Sequence, residues 1–296
     1  MSSKNVLFIT LFLLLSFASG IVSCEPEKEE IVNKAPVKTM LEQKTHEQNQ
    51  TAKYPGIVNL YRPNYVLPYY YTGRPYYAIY NNETPNNQSV MKEELKAQIS
   101  LLVPIARHLI NNKPLSLNFA YTQLMYWQVY AKSQYFRETN YEPELFIENF
   151  FNPYFGGQIG VDHQSNGRGG VLERSWNRGF LQLQFSGAHW LAHIKGWGLI
   201  DETDSSDLHN PDIAHFLGYD NVLFSYEYAD LQASVEVQNI ESGFKRGFVQ
   251  FTLSYPLFKS LSVYGQFFNG YGQSLIEYNH KTTSAGIGIA LNDWMT

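Results

Sequence analysis

From Asn64 to Leu291 apolar and polar residues alternate with period two in segment after segment, and this pattern restricts the fold more than any other property of the chain. In residues 96–105 the odd positions Ala97, Ile99, Leu101, Val103 and Ile105 are apolar, against Lys96, Gln98 and Ser100. From Leu115 to Val129 the odd positions are again mostly apolar, against Ser116, Asn118 and Thr122. Ala233, Val235 and Val237 alternate with Gln232, Ser234, Glu236 and Gln238, while Ile287, Ile289 and Leu291 alternate with small residues. Successive strand side chains point to opposite faces, so each segment has one apolar face.

A soluble sandwich would alternate too. Three features favour a membrane barrel. The segments run roughly 9 to 12 residues, the length that crosses a bilayer at a tilt. Aromatic residues, 16% of the chain, crowd the segment ends, where interfacial girdles sit. Short turns (Asn112–Leu115, Ser186–His189, Tyr228–Asp230) alternate with longer polar loops (Gly73–Val90, Asp201–Asp212, Tyr271–Thr282). About twelve strands follow, an even number that leaves both ends of the chain on the side of the short turns. The expected fold is all-β: a twelve-stranded antiparallel transmembrane β-barrel with periplasmic termini, over residues 54–296. A mean hydropathy of −0.30 suits strands that are apolar on one face only.

The chain opens MSSKNVLFITLFLLLSFASGIVSC, with Lys4 ahead of an apolar run from Val6 to Ala18. Residues 1–23 therefore read as a secretory signal. Ile21 to Cys24 also fits a lipobox, in which Cys24 carries lipid, and ordinary cleavage nearby stands as the alternative. No later stretch offers roughly 18 unbroken apolar residues, which argues against a helical membrane protein. Cys24 is the single cysteine, so an intrachain disulfide and a thiolate metal cluster are excluded. Residues 24–53 are polar, charged and poor in aromatics, and are expected to form a flexible tether. The net charge of −5 argues against a nucleic-acid partner.

Within this frame the stretch VDHQSNGRGGVLERSWNRGF, residues 161–180, stands out. His163 and Ser165 share parity with apolar Ile159 and Val161, and Asn177 shares parity with Leu181 and Leu183, so all three polar side chains are expected to face lipid. A hairpin closing symmetrically about Gly170 sets His163 opposite Asn177 and Ser165 opposite Ser175, with opposed side chains about 5 Å apart. Asn177 then accepts from one imidazole nitrogen while the other is left to take a serine proton, the arrangement nucleophilic catalysis requires. The backbone amides of Ser165 and Gly167 are candidate oxyanion donors. A polar cluster facing lipid is costly and usually marks function; on spacing alone, the same residues would be ordinary loop decoration.

His163 with Ser165–Arg168 (H-x-S-N-G-R) and Arg174–Arg178 (R-S-W-N-R) resemble the signature of the outer-membrane phospholipase A family. FRETNYEPELF (136–146), NPDI (210–213) and YGQSLIEYN (271–279) look like further blocks of that family. The resemblance implies hydrolysis of sn-1 and sn-2 acyl esters of glycerophospholipids and lysophospholipids in the outer leaflet of the bacterial outer membrane. It implies Ser165 as nucleophile, His163 as base and acid, and Asn177 as orienter. It also implies a calcium-dependent enzyme active as a homodimer, with Ca2+ held by Ser133 from the partner subunit, the Arg168 carbonyl and Glu173. The last position is usually serine in the family, which leaves the ligand set open. Gln123, an amide on the lipid-facing parity of its strand, supports a dimer by itself and matches the family position that bonds across the interface. The alternatives are a non-enzymatic channel or adhesin barrel, and a soluble secreted esterase.

Overall fold

The computed structural model describes residues 38–51, 58–110, 114–200 and 209–295. The signal segment 1–23, Cys24 and residues 24–37 and 52–53 of the expected tether lie outside the described residues. Twelve antiparallel strands close into a barrel: β1 (Asn64–Thr72), β2 (Glu93–Arg107), β3 (Leu115–Trp127), β4 (Phe136–Asn152), β5 (Phe155–Ser165) and β6 (Ser175–Ser186), then β7 (Trp190–Leu199), β8 (Asp220–Tyr228), β9 (Leu231–Gln238), β10 (Phe248–Phe258), β11 (Leu261–Tyr271) and β12 (Lys281–Asn292). Each strand pairs with its successor, and β12 returns to β1 through pairs such as Ile287 with Tyr69. A two-residue strand, Asn59–Leu60, adds to β2 opposite Leu101 and Leu102. Short turns and both ends of the described chain share one rim, and the long connections share the other.

The barrel is apolar outside and polar inside. Val66, Ile99, Leu145, Ile159, Leu181 and Phe251 are exposed on the outer wall, while Lys96, Asn118, Glu144, Asp162 and Arg178 are buried within. Lipid makes the outer arrangement favourable, and buried charges inside require partners. They have them. Arg62 donates to Glu142 at 2.9 Å and to Glu144. Arg178 donates to Asp162 at 2.6 Å and to Glu142 at 2.9 Å. Lys195 reaches Asp162 at 3.0 Å and Glu144 at 3.3 Å. Three cations thus face three carboxylates, and a cavity of about 450 Å³ remains beside them, lined in part by Gln98, Gln158, Glu236 and Gln266.

The outer wall yields a direct test. Ile159 is 59% exposed and is flanked by Ile147 on β4 and Leu181 on β6. Ile159→Arg should lower unfolding stability in lipid by about 2–4 kcal/mol if the position lies at the bilayer midplane. A change near zero would mean that this face meets water.

One expectation needs correction. The stretch read as a tether from 24 to 53 contains a helix, α1 (Met40–Thr51). Met40 and Leu41 are buried with Phe150, Leu191 and Met295. The Met40 amide donates to the Gly187 carbonyl at 3.1 Å and the Leu41 amide to Ser186 Oγ at 3.2 Å. Composition misjudged the segment because two apolar side chains are enough to dock it. Their partners come from far along the chain, beyond the reach of any local pattern.

Candidate active site

β5 and β6 form the hairpin expected from the sequence, with His163 opposite Asn177 and Ser165 opposite Ser175. The ladder is shifted so that these two pairs are the close ones. The Asn177 carbonyl accepts from the Ile200 amide at 3.0 Å, on the β7 side, and the Ser175 amide and carbonyl bond to Asn210. Both residues therefore turn their main-chain groups away from β5, which leaves non-hydrogen-bonded pairs whose side chains approach most closely. His163 Nδ1 and Asn177 Oδ1 lie 2.7 Å apart. An amide oxygen can only accept, so the Nδ1 proton points at Asn177 and Nε2 is left with its lone pair. Ser165 follows His163 by two residues on the same face, and its other neighbour across the sheet is Tyr141 on β4.

All three side chains are half-buried on the outer wall. A recess of about 380 Å³ beside them is lined by Phe119, Pro143, Leu145, Val161, His163, Asn177 and Ile200. The lumen side of the hairpin is locked: Arg178 pairs with Asp162, its guanidinium stacks 4.3 Å from the Trp176 ring, and Trp176 Nε1 donates to Gln164 Oε1 at 2.7 Å. Sequence reasoning passed over these even-numbered residues. The available signal was charge at positions that face inward, Asp162 against Arg178, one step from the catalytic candidates.

Residues 166–174 cap the hairpin. Asn166 organises them, with Oδ1 accepting from the Arg174 amide at 3.0 Å and the Arg168 amide at 3.3 Å, and Nδ2 donating to the Leu172 carbonyl at 2.8 Å. Gly167 has φ +63°, and a Cβ there would come within 2.9 Å of the Tyr141 ring, so glycine is required on two grounds. Arg168 sends its side chain to Glu138, at 3.2 Å, and to the Arg137 carbonyl. Glu173 closes a turn, its amide donating to the Gly170 carbonyl at 3.0 Å. Its carboxylate enters no salt bridge among the described residues.

Ser133 sits apart from this cap, on the β3–β4 connection. Asn86 Nδ2 donates to its hydroxyl at 2.8 Å and its amide donates to Gln88 Oε1 at 3.1 Å. Gln123 lies on the outer wall between Ile99 and Tyr141. Its oxygen accepts from the Tyr121 hydroxyl at 3.1 Å, so only part of its bonding capacity is met among the described residues. Glu142, Glu144 and Asp162 bring carboxylate oxygens within 4.8 Å of one another. These three face the lumen and are neutralised by Arg62, Arg178 and Lys195, so they belong to the charge lock and offer little to a cation.

A closed barrel with an apolar outer wall, carrying a histidine–asparagine pair and a neighbouring serine on that wall, defines an outer-membrane β-barrel hydrolase. The phospholipase A1 family profile matches residues 41–291. The chain belongs to the phospholipase A1 family and is a phospholipase of the bacterial outer membrane. Phospholipase A1 of Klebsiella pneumoniae is 35% identical over 248 residues, covering 81% of this chain and 84% of its own. The Escherichia coli K12 relative is 37% identical over 215 residues, 70% of this chain and 72% of its own. The crystal structure of the Salmonella typhi outer membrane phospholipase dimer with bound calcium matches with a TM-score of 0.74 at 33% identity, over 81% of this chain and 94% of that one. Membership removes the channel, adhesin and soluble-esterase alternatives.

Proposed function

We propose that this phospholipase cleaves sn-1 and sn-2 acyl esters of glycerophospholipids and lysophospholipids with a Ser165–His163–Asn177 triad, in a calcium-dependent homodimer. The observation that carries the reading is the 2.7 Å contact between His163 Nδ1 and Asn177 Oδ1 on the outer wall. Nothing in barrel stability calls for an imidazole–amide pair facing lipid. The recess beside it, with Phe119, Leu145 and Val161, suits an acyl chain. β5 runs from the short-turn rim to the long-loop rim, so Ser165 stands at the depth of the outer leaflet.

Ser165 Oγ attacks the ester carbonyl as His163 Nε2 takes its proton. Asn177 holds the Nδ1–H tautomer and the ring plane, and being neutral it stabilises the imidazolium less than a carboxylate would. The amides of Ser165 and Gly167 donate to the oxyanion. When the tetrahedral intermediate collapses, the C–O bond to the leaving lipid breaks and His163 returns the proton to that oxygen, leaving an acyl ester on Ser165. Water then attacks with His163 again as base, which releases fatty acid and restores the serine.

The Arg168 carbonyl, the Glu173 carboxylate and the hydroxyl of Ser133 of the partner subunit form an all-oxygen donor set, which suits Ca2+. The diversion of the Arg168 guanidinium to Glu138 keeps its charge off that set, and the Glu173 carboxylate is not committed to a salt bridge among the described residues. Calcium held by these residues would supply positive charge to stabilise an oxyanion. The amide nitrogen of Gln123 is suited to bond across the dimer interface. That the Salmonella typhi relative is a dimer with bound calcium supports a calcium-binding dimer here. Residues 1–23 are assigned to export.

Fatty-acid release from detergent-dispersed phospholipid tests this reading. Chelation should lower the rate by roughly 100-fold or more, the scale of losing oxyanion stabilisation, and calcium should restore it. Glu173→Ala should shift the calcium midpoint upward. A rate indifferent to chelator would remove the metal from the reading.

A further inference from the structure

At the outer end of β6, where the site needs rigidity, no strand among the described residues lies beside Ser175, although Ser175 and Trp176 are buried. Among the described residues, β7 pairs with β6 as far as Leu199, opposite Arg178, and Ser175, Trp176 and Asn177 lie beyond that pair. Ile200 covers the Asn177 carbonyl at 3.0 Å. At Ser175 one side chain takes up both main-chain groups on that side. Asn210 Oδ1 accepts from the Ser175 amide at 3.1 Å, and Asn210 Nδ2 donates to the Ser175 carbonyl at 2.9 Å. A carboxamide carries one acceptor and a donor side by side, so it satisfies a strand residue as a neighbouring strand would.

Asn210 is itself fully buried and held in place. Its carbonyl accepts from the Ile213 amide at 3.2 Å, opening the short helix α2 (Ile213–Leu217). Ile213 and Leu217 pack with Trp176, Trp197, Leu275 and Tyr278. Two residues after Asn210, Asp212 accepts from the Tyr278 hydroxyl at 2.6 Å. The clamp is thus anchored in the packed core beneath the long loops.

We propose that Asn210 is a positioning residue of the hydrolase: by bonding both main-chain groups of Ser175 on β6 it fixes Asn177, and through Asn177 the imidazole of His163, against Ser165. This rests on the triad reading above. Unclamped, the strand end carrying Asn177 would lose both main-chain bonds at Ser175, and the ring would lose its fixed plane. Small displacements of this kind act on turnover more than on substrate capture.

The test uses the full-length protein in detergent with saturating calcium. Asn210→Asp keeps the size and the acceptor but replaces the donor by an oxygen facing the Ser175 carbonyl; Asn210→Ala removes both. Both variants should lower kcat per folded barrel by roughly 10- to 100-fold with KM changed by less than about threefold. Folded barrel is counted by its gel mobility before heating. A fluorophosphonate, which forms an Oγ–P bond as fluoride leaves, should label Ser165 more slowly by a similar factor. A purely structural clamp would reduce the folded fraction and leave kcat and labelling per folded barrel within about twofold of the parent, and that result overturns the proposal. If neither variant assembles, hydrogen exchange in the unsubstituted protein decides. The Ser175 amide should be protected by more than roughly 100-fold, and free exchange there would overturn the clamp. Undiminished release by Ser165→Ala would instead refute the triad, leaving the measured clamp standing.

Discussion

Replacing Ser165 with alanine is expected to leave the barrel assembled and to lower fatty-acid release by roughly 10⁴-fold or more, the scale seen when a serine nucleophile is deleted. The hydroxyl lies on the outer wall, half-buried, in a strand held by Tyr141 on one side and Ser175 on the other. Its removal should change stability by no more than about 0.5 kcal/mol, the range of a substitution away from the core. Activity and stability therefore separate cleanly. Adding His163→Ala to Ser165→Ala should cost little more than either change alone, because a base without its nucleophile has no proton to take. Release that survives in Ser165→Ala would place the nucleophile elsewhere.

The second large effect is one of stability, and it comes from the lumen. Arg178 is 6% exposed, bonded to Asp162 and Glu142, and stacked on Trp176 and Trp197. Arg178→Met keeps much of the apolar contact and removes the charge. Asp162, Glu142 and Glu144 would then face only Arg62 and Lys195. Leaving a buried carboxylate uncompensated costs about 3–5 kcal/mol, with the lower part of that range appropriate beside a water-sized cavity. The midpoint of urea unfolding in detergent should fall accordingly. An unchanged midpoint would mean that water screens the cluster fully. Activity per folded barrel should also drop, since Arg178 follows Asn177 and its bond to Asp162 ties β6 to β5 behind the site.

Both predictions grow from the inside-out arrangement, and that arrangement was written in residue parity. A strand repeats every two residues, so one register decides the face of every side chain at once. Parity alone therefore turns Ile159, Val161 and His163 on one strand, and Asn177, Leu181 and Leu183 on the next, outward. Symmetric closure of the β5–β6 hairpin set His163 against Asn177. The helix at Met40–Thr51 was missed because its docking depends on Phe150, Leu191 and Met295. The Asn210 clamp was hidden in a short block whose partner, Ser175, lies across the loop-side rim.

The sequence by itself determined the strand period, the outward face of the triad candidates and the pairing across one hairpin, since each follows from local geometry over a few residues. Tertiary structure alone decided which cation neutralises which carboxylate, that the Asn210 side chain bonds both main-chain groups of Ser175, that the Ser133 hydroxyl accepts from Asn86, and that Met40 and Leu41 are buried. Those contacts join residues distant along the chain. Only closure of the barrel brings them within hydrogen-bonding or van der Waals range.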